Sequence, residues 1–291
     1  MSRLAQLVAR FRSGSITRRV FFVRLASVLG SSALAQHYFE LNATASPQNA
    51  PAGPEPVAVE SSAVMVPGEA ATLLGYFSRP LAREDAPSLP GLLLVHPDHG
   101  LDEQIREVAR RLAAEGYFVL ALDHLSRQGG TPVFTSPDDA AQAFGKVAEE
   151  DVIQELEAAA SYLTFHPWIE QDRIGVIGFG WGGTHAFQYA AVNPTLQAAV
   201  VYCGAPPPED SLAGIAAPVL GNYASNDTRV TPTIASATAA MQRLDKPFDA
   251  KIYPAEAAFF DPASSDYDEA AAQDSWARTL AFLHKHLAPN P

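Results

Sequence analysis

From about residue 59 onward, short apolar runs alternate with stretches in which apolar positions recur every three or four residues, and this alternation sets the predicted order of elements. "AVMVP" and "TLLGYFSRP" read as an opening antiparallel pair, and "GLLLVH" (91–96) as a buried strand ending at Pro and Gly. In "LDEQIREVARRLAAEGYFVLALDH", Ile105, Val108, Leu112 and Ala113 fall at helical spacing. Gly116 closes that helix, and "YFVLALD" is the next strand, completing a βαβ unit. A second helix is predicted over roughly 146–165, with Val152, Leu156, Ala159 and Leu163 on one side. The strand "IGVIGF", a helix from 181, the strands "AAVVYC" and "APVLGNY", the helix "IASATAAMQRL", the strand "DAKIYP" and a final helix "DEAAAQDSWARTLAFLHKHL" complete the chain. Runs of Val, Ile and Leu without polar alternation mark strands covered on both faces. The predicted fold class is therefore α/β, a doubly wound, mostly parallel sheet with helices on both faces.

The first 58 residues break this pattern. "SITRRVFFVRLASVLGSSALAQ" joins Arg18 and Arg19 to a modest apolar run and a small-residue site, Ala33-Leu34-Ala35, which is the pattern of a twin-arginine export signal. Residues 1–35 are thus expected to be a signal, the protein exported or periplasmic. The alternative is a basic amphipathic helix retained at a membrane, since Arg24 shortens the apolar run well below a span. Residues 36–58 read as a Pro/Ala-rich tether and 59–291 as one domain.

Charge narrows the partners. The chain carries a net charge of −12, and the six Arg of the first 35 residues leave 14 basic against 32 acidic residues, −18, for the remainder. Such a body repels phosphate backbones, so no nucleic acid is expected as partner. The one cysteine, Cys203, excludes an internal disulfide and a Cys-rich metal site.

The chemistry turns on "IGVIGFGWGGTHAF" (174–187). Gly178, Gly180 and Gly183 spell G-x-G-x-x-G, a dinucleotide fingerprint, but two βα units precede them and the next strand ends "VVYCG" without the carboxylate that would hold a ribose. A strand-to-helix turn in mid-sheet suits a nucleophile elbow instead. Here the sequence resembles the dienelactone hydrolase family of α/β-hydrolases. "LLLVHPDHGLDEQIREVARRLAAEGYFVLALD" is similar to that family's strand, H-E-x-x-G turn and helix, "GVIGFGWGG" to its G-x-C-x-G-G elbow, "NDTRVTP" to its acid loop, and "YPAEAAFFDP" to its Y-P-x-x-x-H-x-F loop. The resemblance implies a thiol or hydroxyl at the elbow, a His that moves the proton and an Asp that orients it. This sequence has Gly180 at the nucleophile position, Ala258 at the histidine position and Pro97 at the glutamate position, and keeps only the acid, Asp227.

The remaining candidates are Asp98 and His99 after the strand "GLLLV", His124 at the next strand tip, Trp181 beside the elbow, and Cys203. The first three could be rim groups, a rewired base or part of a metal site; Cys203 could be a nucleophile or a small buried hydrophobe. His185 reads as packing. The resemblance implies no cofactor, and no metal is expected. The expected function is a family member that has lost ester or lactone hydrolysis and binds a small molecule in the old crevice or a protein partner. Its rivals are a hydrolase using Cys203 or a bound water, and an accessory subunit of a membrane complex held by its N-terminus.

Overall fold

β1 (Val59–Pro67) and β2 (Thr72–Pro80) pair antiparallel, as the opening pattern predicts, with Val59 opposite Pro80 and Pro67 opposite Thr72. The structure is a computed structural model describing residues 57–81, 88–134 and 136–287, so the predicted signal and most of the tether lie outside the described residues. The other strands are β3 (Leu89–Val95), β4 (Phe118–Leu122), β5 (Ile169–Phe179), β6 (Ala198–Tyr202), β7 (Val219–Ala224) and β8 (Phe248–Tyr253), and the sheet order is β1-β2-β4-β3-β5-β6-β7-β8. From β4 to β8 every pairing is parallel, while β2 meets β4 antiparallel.

The helices are α1 (Glu103–Ala114), α2 (Pro137–Phe144), α3 (Glu149–Thr164), α4 (Trp181–Val192), α5 (Glu209–Leu212), α6 (Thr231–Arg243) and α7 (Glu269–Leu287). Successive strand residues serve opposite faces, and both faces are covered. Leu92, Leu94, Ile177 and Val200 pack with Ile105 and Leu112 of α1 and Leu283 of α7. Leu93, Val95, Val176 and Val201 pack with Leu156 of α3, Phe187 of α4 and Met241 of α6. In the central strands β3, β4 and β6 burial on two sides leaves little place for a polar residue, and this is why their sequences are nearly continuous apolar runs. Fully burying a side chain of the size of Leu contributes about 1.5–3 kcal/mol, so both layers are substantial sources of stability.

The chain departs from the expected pattern between β4 and α3. Two 3₁₀ turns, Ser126–Gln128 and Thr131–Val133, and the helix α2 occupy a stretch for which no element was expected. Capping by Ser136, whose hydroxyl accepts from the Asp139 N–H at 3.1 Å, starts α2. β5 also begins at Ile169, upstream of the expected Ile174, because Ile169 pairs with Leu89 across a register irregularity. Its added residues Glu170, Gln171 and Asp172 are polar and give no apolar signal.

The sheet order reverses around β3 and β5. From β3 the chain crosses by α1 to β4 on one side, and from β5 by α4 to β6 on the other, so the loops after these adjacent strands diverge. Open α/β sheets place ligands in the crevice at such a point.

Candidate functional site

The turn after β5 has the geometry of an elbow. Gly180 adopts φ +55° and ψ −115°, outside the regions comfortable for a side chain, and α4 starts at the next residue. Its N–H donates to the Tyr202 carbonyl at 2.8 Å, and its carbonyl accepts from Thr184 N–H at 3.1 Å, closing the first turn of α4. The flanking glycines are dictated by contact. A Cβ on Gly178 would stand 2.1 Å from the Gly182 carbonyl oxygen, and one on Gly182 would stand 2.3 Å from the His96 carbonyl oxygen. The helix therefore lies backbone to backbone against the ends of β3 and β5. Close packing of backbone, and not a cofactor phosphate, accounts for the glycine spacing.

The acid loop follows β7. Asp227 is 6% exposed, and its Oδ1 accepts from the N–H groups of Arg229 at 3.0 Å and Val230 at 3.1 Å, so the carboxylate supports the turn into α6. Asn226 stitches this loop to the one after β8, with its N–H on the Ala255 carbonyl at 3.2 Å and its amide on Glu256 at 2.7 Å. Ala258 lies in that second loop, half-buried. Acid loop, alanine and glycine elbow are thus arranged along the carboxyl edge of the sheet in the order of the sequence motifs.

Cys203 directly follows β6 with φ +48°, 5% exposed, its Sγ 3.8 Å from the Asn222 carbonyl oxygen. Burial, helped by the charge of Asp227, pushes its thiol up to about 12. The thiolate is the nucleophilic form, so at neutral pH this sulfur is a small buried hydrophobe.

His124 and Trp181 belong to a buried cluster on the α3–α4 side. His96, which sequence reasoning passed over, donates from Nδ1 to the Pro97 carbonyl at 2.8 Å and accepts the His124 N–H on Nε2 at 3.2 Å, which fixes its tautomer. Its ring stacks on Trp181 with centroids 5.9 Å apart, and Phe144 of α2 lies 5.0 Å from Trp181. His124 Nδ1 is 2.7 Å from Glu155 Oε2 of α3, and Arg127 reaches Glu155 Oε1 at 3.2 Å and Asp151 at 2.9 Å. Burial lowers His96 to about 4 and His124 to about 3, and raises Glu155 to about 7 against the pull of Arg127. His185 donates Nδ1–H to the Trp181 carbonyl at 2.9 Å, consistent with packing.

On the opposite face a cavity of about 580 Å³ opens between the N-terminal halves of α1 and α7. Phe179, Tyr202, Phe260, Tyr267 and Trp276 supply its aromatic wall, and Pro97 also borders it. The size is that of a small-molecule site. Of the sequence candidates, His99 lines this cavity, whereas Asp98 is exposed beside it and His124, Trp181 and Cys203 lie outside its wall. His99 Nδ1 is 3.0 Å from Asp102 Oδ2, while Asp102 Oδ1 caps α1 through the Ile105 N–H at 3.0 Å. This hydrogen bond raises the His99 pKa above its usual value. Among the described residues no group of three or more His, Cys, Asp or Glu side chains could hold a metal ion. His99 and His124 accordingly do not share a site. Arg111 and Trp276 gave no motif in the sequence, and only the α1 and α7 packing brings them to one cavity, while Asp102 reaches it only through its bond to His99.

Comparison with known proteins bears on the family and the fold. The model of the dienelactone hydrolase family matches residues 77–287. A Salmonella typhi protein provisionally named carboxymethylenebutenolidase is 30% identical over 242 residues, covering 79% of this chain and 88% of its own. A Methylorubrum extorquens protein with the same provisional name is 32% identical over 221 residues, 72% of this chain and 76% of its own. Among solved structures, a provisionally named dienelactone hydrolase of Klebsiella pneumoniae superposes with TM-score 0.72 at 29% identity, covering 78% of this chain and 99% of its own. A fold that places an elbow, an acid loop and a crevice at one sheet edge, and relatives that align along nearly the whole body, lead to one conclusion: the chain has the α/β-hydrolase fold and belongs to the dienelactone hydrolase family.

Proposed function

We propose that this chain is a small-molecule-binding member of the family that has given up covalent ester and lactone cleavage. The observation that carries this reading is the elbow itself. Gly180 keeps the backbone of a nucleophile position and offers no atom to acylate. Ala258 carries no proton, and Asp227 is engaged by backbone N–H groups. Cys203, the nucleophile the sequence offered as a substitute, is held as a buried thiol. The cavity beside Pro97 gives the remaining function a place, since a half-open, aromatic-walled crevice of that volume suits a small-molecule ligand.

The test is exposure of the full chain to p-nitrophenyl acetate, followed by nitrophenolate release and intact mass. The reading expects release at the rate of buffer and no acetyl adduct. Sustained turnover, or a 42-Da adduct on Cys203, would contradict it.

Export is part of the same proposal. The paired Arg18-Arg19 and the Ala33-Leu34-Ala35 site support a cleaved signal and a periplasmic protein, for which N-terminal sequencing of native material should begin at Gln36. A mature chain beginning at Met1 or Ser2 would favour the retained membrane helix instead. Among the described residues no helix is long and apolar enough to cross a membrane.

A further inference from the structure

We infer that the cavity between α1 and α7 takes a neutral, flat, mainly apolar molecule bearing one carbonyl-type oxygen, and that His99 Nε2–H is the donor to that oxygen. The inference rests on the ligand-binding reading above and names the chemistry of the ligand.

Three observations carry it. The first is the wall: Phe179, Tyr202, Phe260, Tyr267 and Trp276 present aromatic surface, which favours a flat apolar body. The Tyr202 hydroxyl is already paired with Thr279 at 2.8 Å and is not free to recognise a ligand.

The second is the charge around the wall. Glu107 and Asp261 border the cavity, and Asp98 and Asp102 flank His99, so the surroundings disfavour an anion. Arg111 is the permanent cation of the described lining, and its guanidinium lies 4.1 Å from the centre of the Trp276 ring, where the π face already takes up part of its charge.

The third is the fixed orientation of His99. Asp102 is immobilised as the N-cap of α1 and holds Nδ1 through its second oxygen, so among the described residues Nε2 is the unclaimed edge of a ring in the cavity wall. A single oriented donor in an otherwise apolar wall is the usual means by which a site selects one acceptor atom.

The arrangement also gives binding a pH dependence of definite sign. Nδ1 keeps its proton toward Asp102, so Nε2 carries a proton only in the imidazolium form. The charged groups that face the ring are Asp98 and Asp102 in its own loop and Asp261 in the loop before α7, all of which favour that form, with buried neutral His96 behind. Affinity for a carbonyl ligand therefore falls as pH rises above 6.5 through the raised pKa of His99.

Coumarin, a neutral aromatic lactone, tests this against naphthalene, which has a similar body without the oxygen, and 2-hydroxycinnamate, the related anion. Calorimetric titration of the full chain should find coumarin bound at pH 6, at least tenfold more weakly at pH 8.5, and 2-hydroxycinnamate at least tenfold weaker than coumarin at either pH. Naphthalene should bind without pH dependence. His99→Leu should weaken coumarin about tenfold and leave naphthalene unchanged, whereas His99→Gln, which keeps a donor, should bind coumarin with no pH dependence. Coumarin binding that ignores His99→Leu, or 2-hydroxycinnamate binding tighter than coumarin, overturns this inference alone. Failure of both coumarin and naphthalene to bind overturns it together with the ligand-binding reading.

Discussion

Gly180 and Pro97 face each other across the point where the sheet order reverses. A Cβ on Gly180 would stand 3.8 Å from the Pro97 Cβ, and among the described residues no other atom outside the adjoining Phe179 and Trp181 comes within 4 Å of it. The position is therefore roomy enough for a side chain, unlike Gly178 and Gly182. What resists a substituent there is the backbone, with φ at +55°.

Gly180→Cys should accordingly fold and be less stable than the parent by about 1–3 kcal/mol, the usual cost of a side chain in a sparsely populated conformation. Thermal denaturation measures the loss, and ester hydrolysis should stay at background because Ala258 supplies no base. Gly182→Ala is the control for crowding: its Cβ would meet the His96 carbonyl oxygen at 2.3 Å, so its loss should be larger than that of Gly180→Cys. A Gly180→Cys protein more stable than the parent would show that the turn is not strained.

Asp227 accepts two backbone N–H bonds through one oxygen. Asn can present the same oxygen, so Asp227→Asn should change stability by a few tenths of a kcal/mol. Asp227→Ala removes the acceptor and should cost about 1–2 kcal/mol, the scale of a lost cap. Denaturant unfolding of both variants separates a retained turn-former from a carboxylate with a new charged partner, for which Asn would cost as much as Ala.

His96 sets an acid limit. Its burial, with His124 beside it, lowers its pKa from 6.5 to about 4 in the folded state, so the unfolded chain takes up this proton first as pH falls. Stability is then lost between pH 6.5 and about 4, by up to about 3 kcal/mol. His124 and Glu155 shift in opposite directions across one 2.7 Å contact, and their effects oppose each other. His99 acts in a different window, since its raised pKa adds stability that is present below 6.5 and lost above. Melting temperatures from pH 7 to pH 4.5 should fall, and fall less steeply in His96→Gln. Equal slopes would place the acid sensitivity elsewhere.

The strands and the helices α1, α3, α4, α6 and α7 were legible because two-sided burial writes continuous apolar runs and helical burial writes a three-to-four spacing. The segment holding α2 was not, since Phe144 and Ala140 pack into a small separate cluster with Leu125 and leave only a weak period. At the site, the glycines, Asp227, Ala258 and Pro97 could be placed from motif spacing. The Asp102–His99 pair was half visible: His99 stood out as a rim histidine, while Asp102 belonged to no motif. The cavity wall was not visible at all, because Ile105 and Trp276 come together only when α1 and α7 pack on the same face of the sheet.

The most direct test of a dismantled nucleophile site is the rate of p-nitrophenyl acetate hydrolysis by the unaltered protein, by Gly180→Cys and by the double variant Gly180→Cys/Ala258→His, measured side by side. The account predicts background rates for the first two and a weak, measurable rate for the third, with Asp227 and the loops joined by Asn226 still in place to support a new imidazole. Robust turnover by the unaltered protein, unchanged by the substitutions, would contradict it.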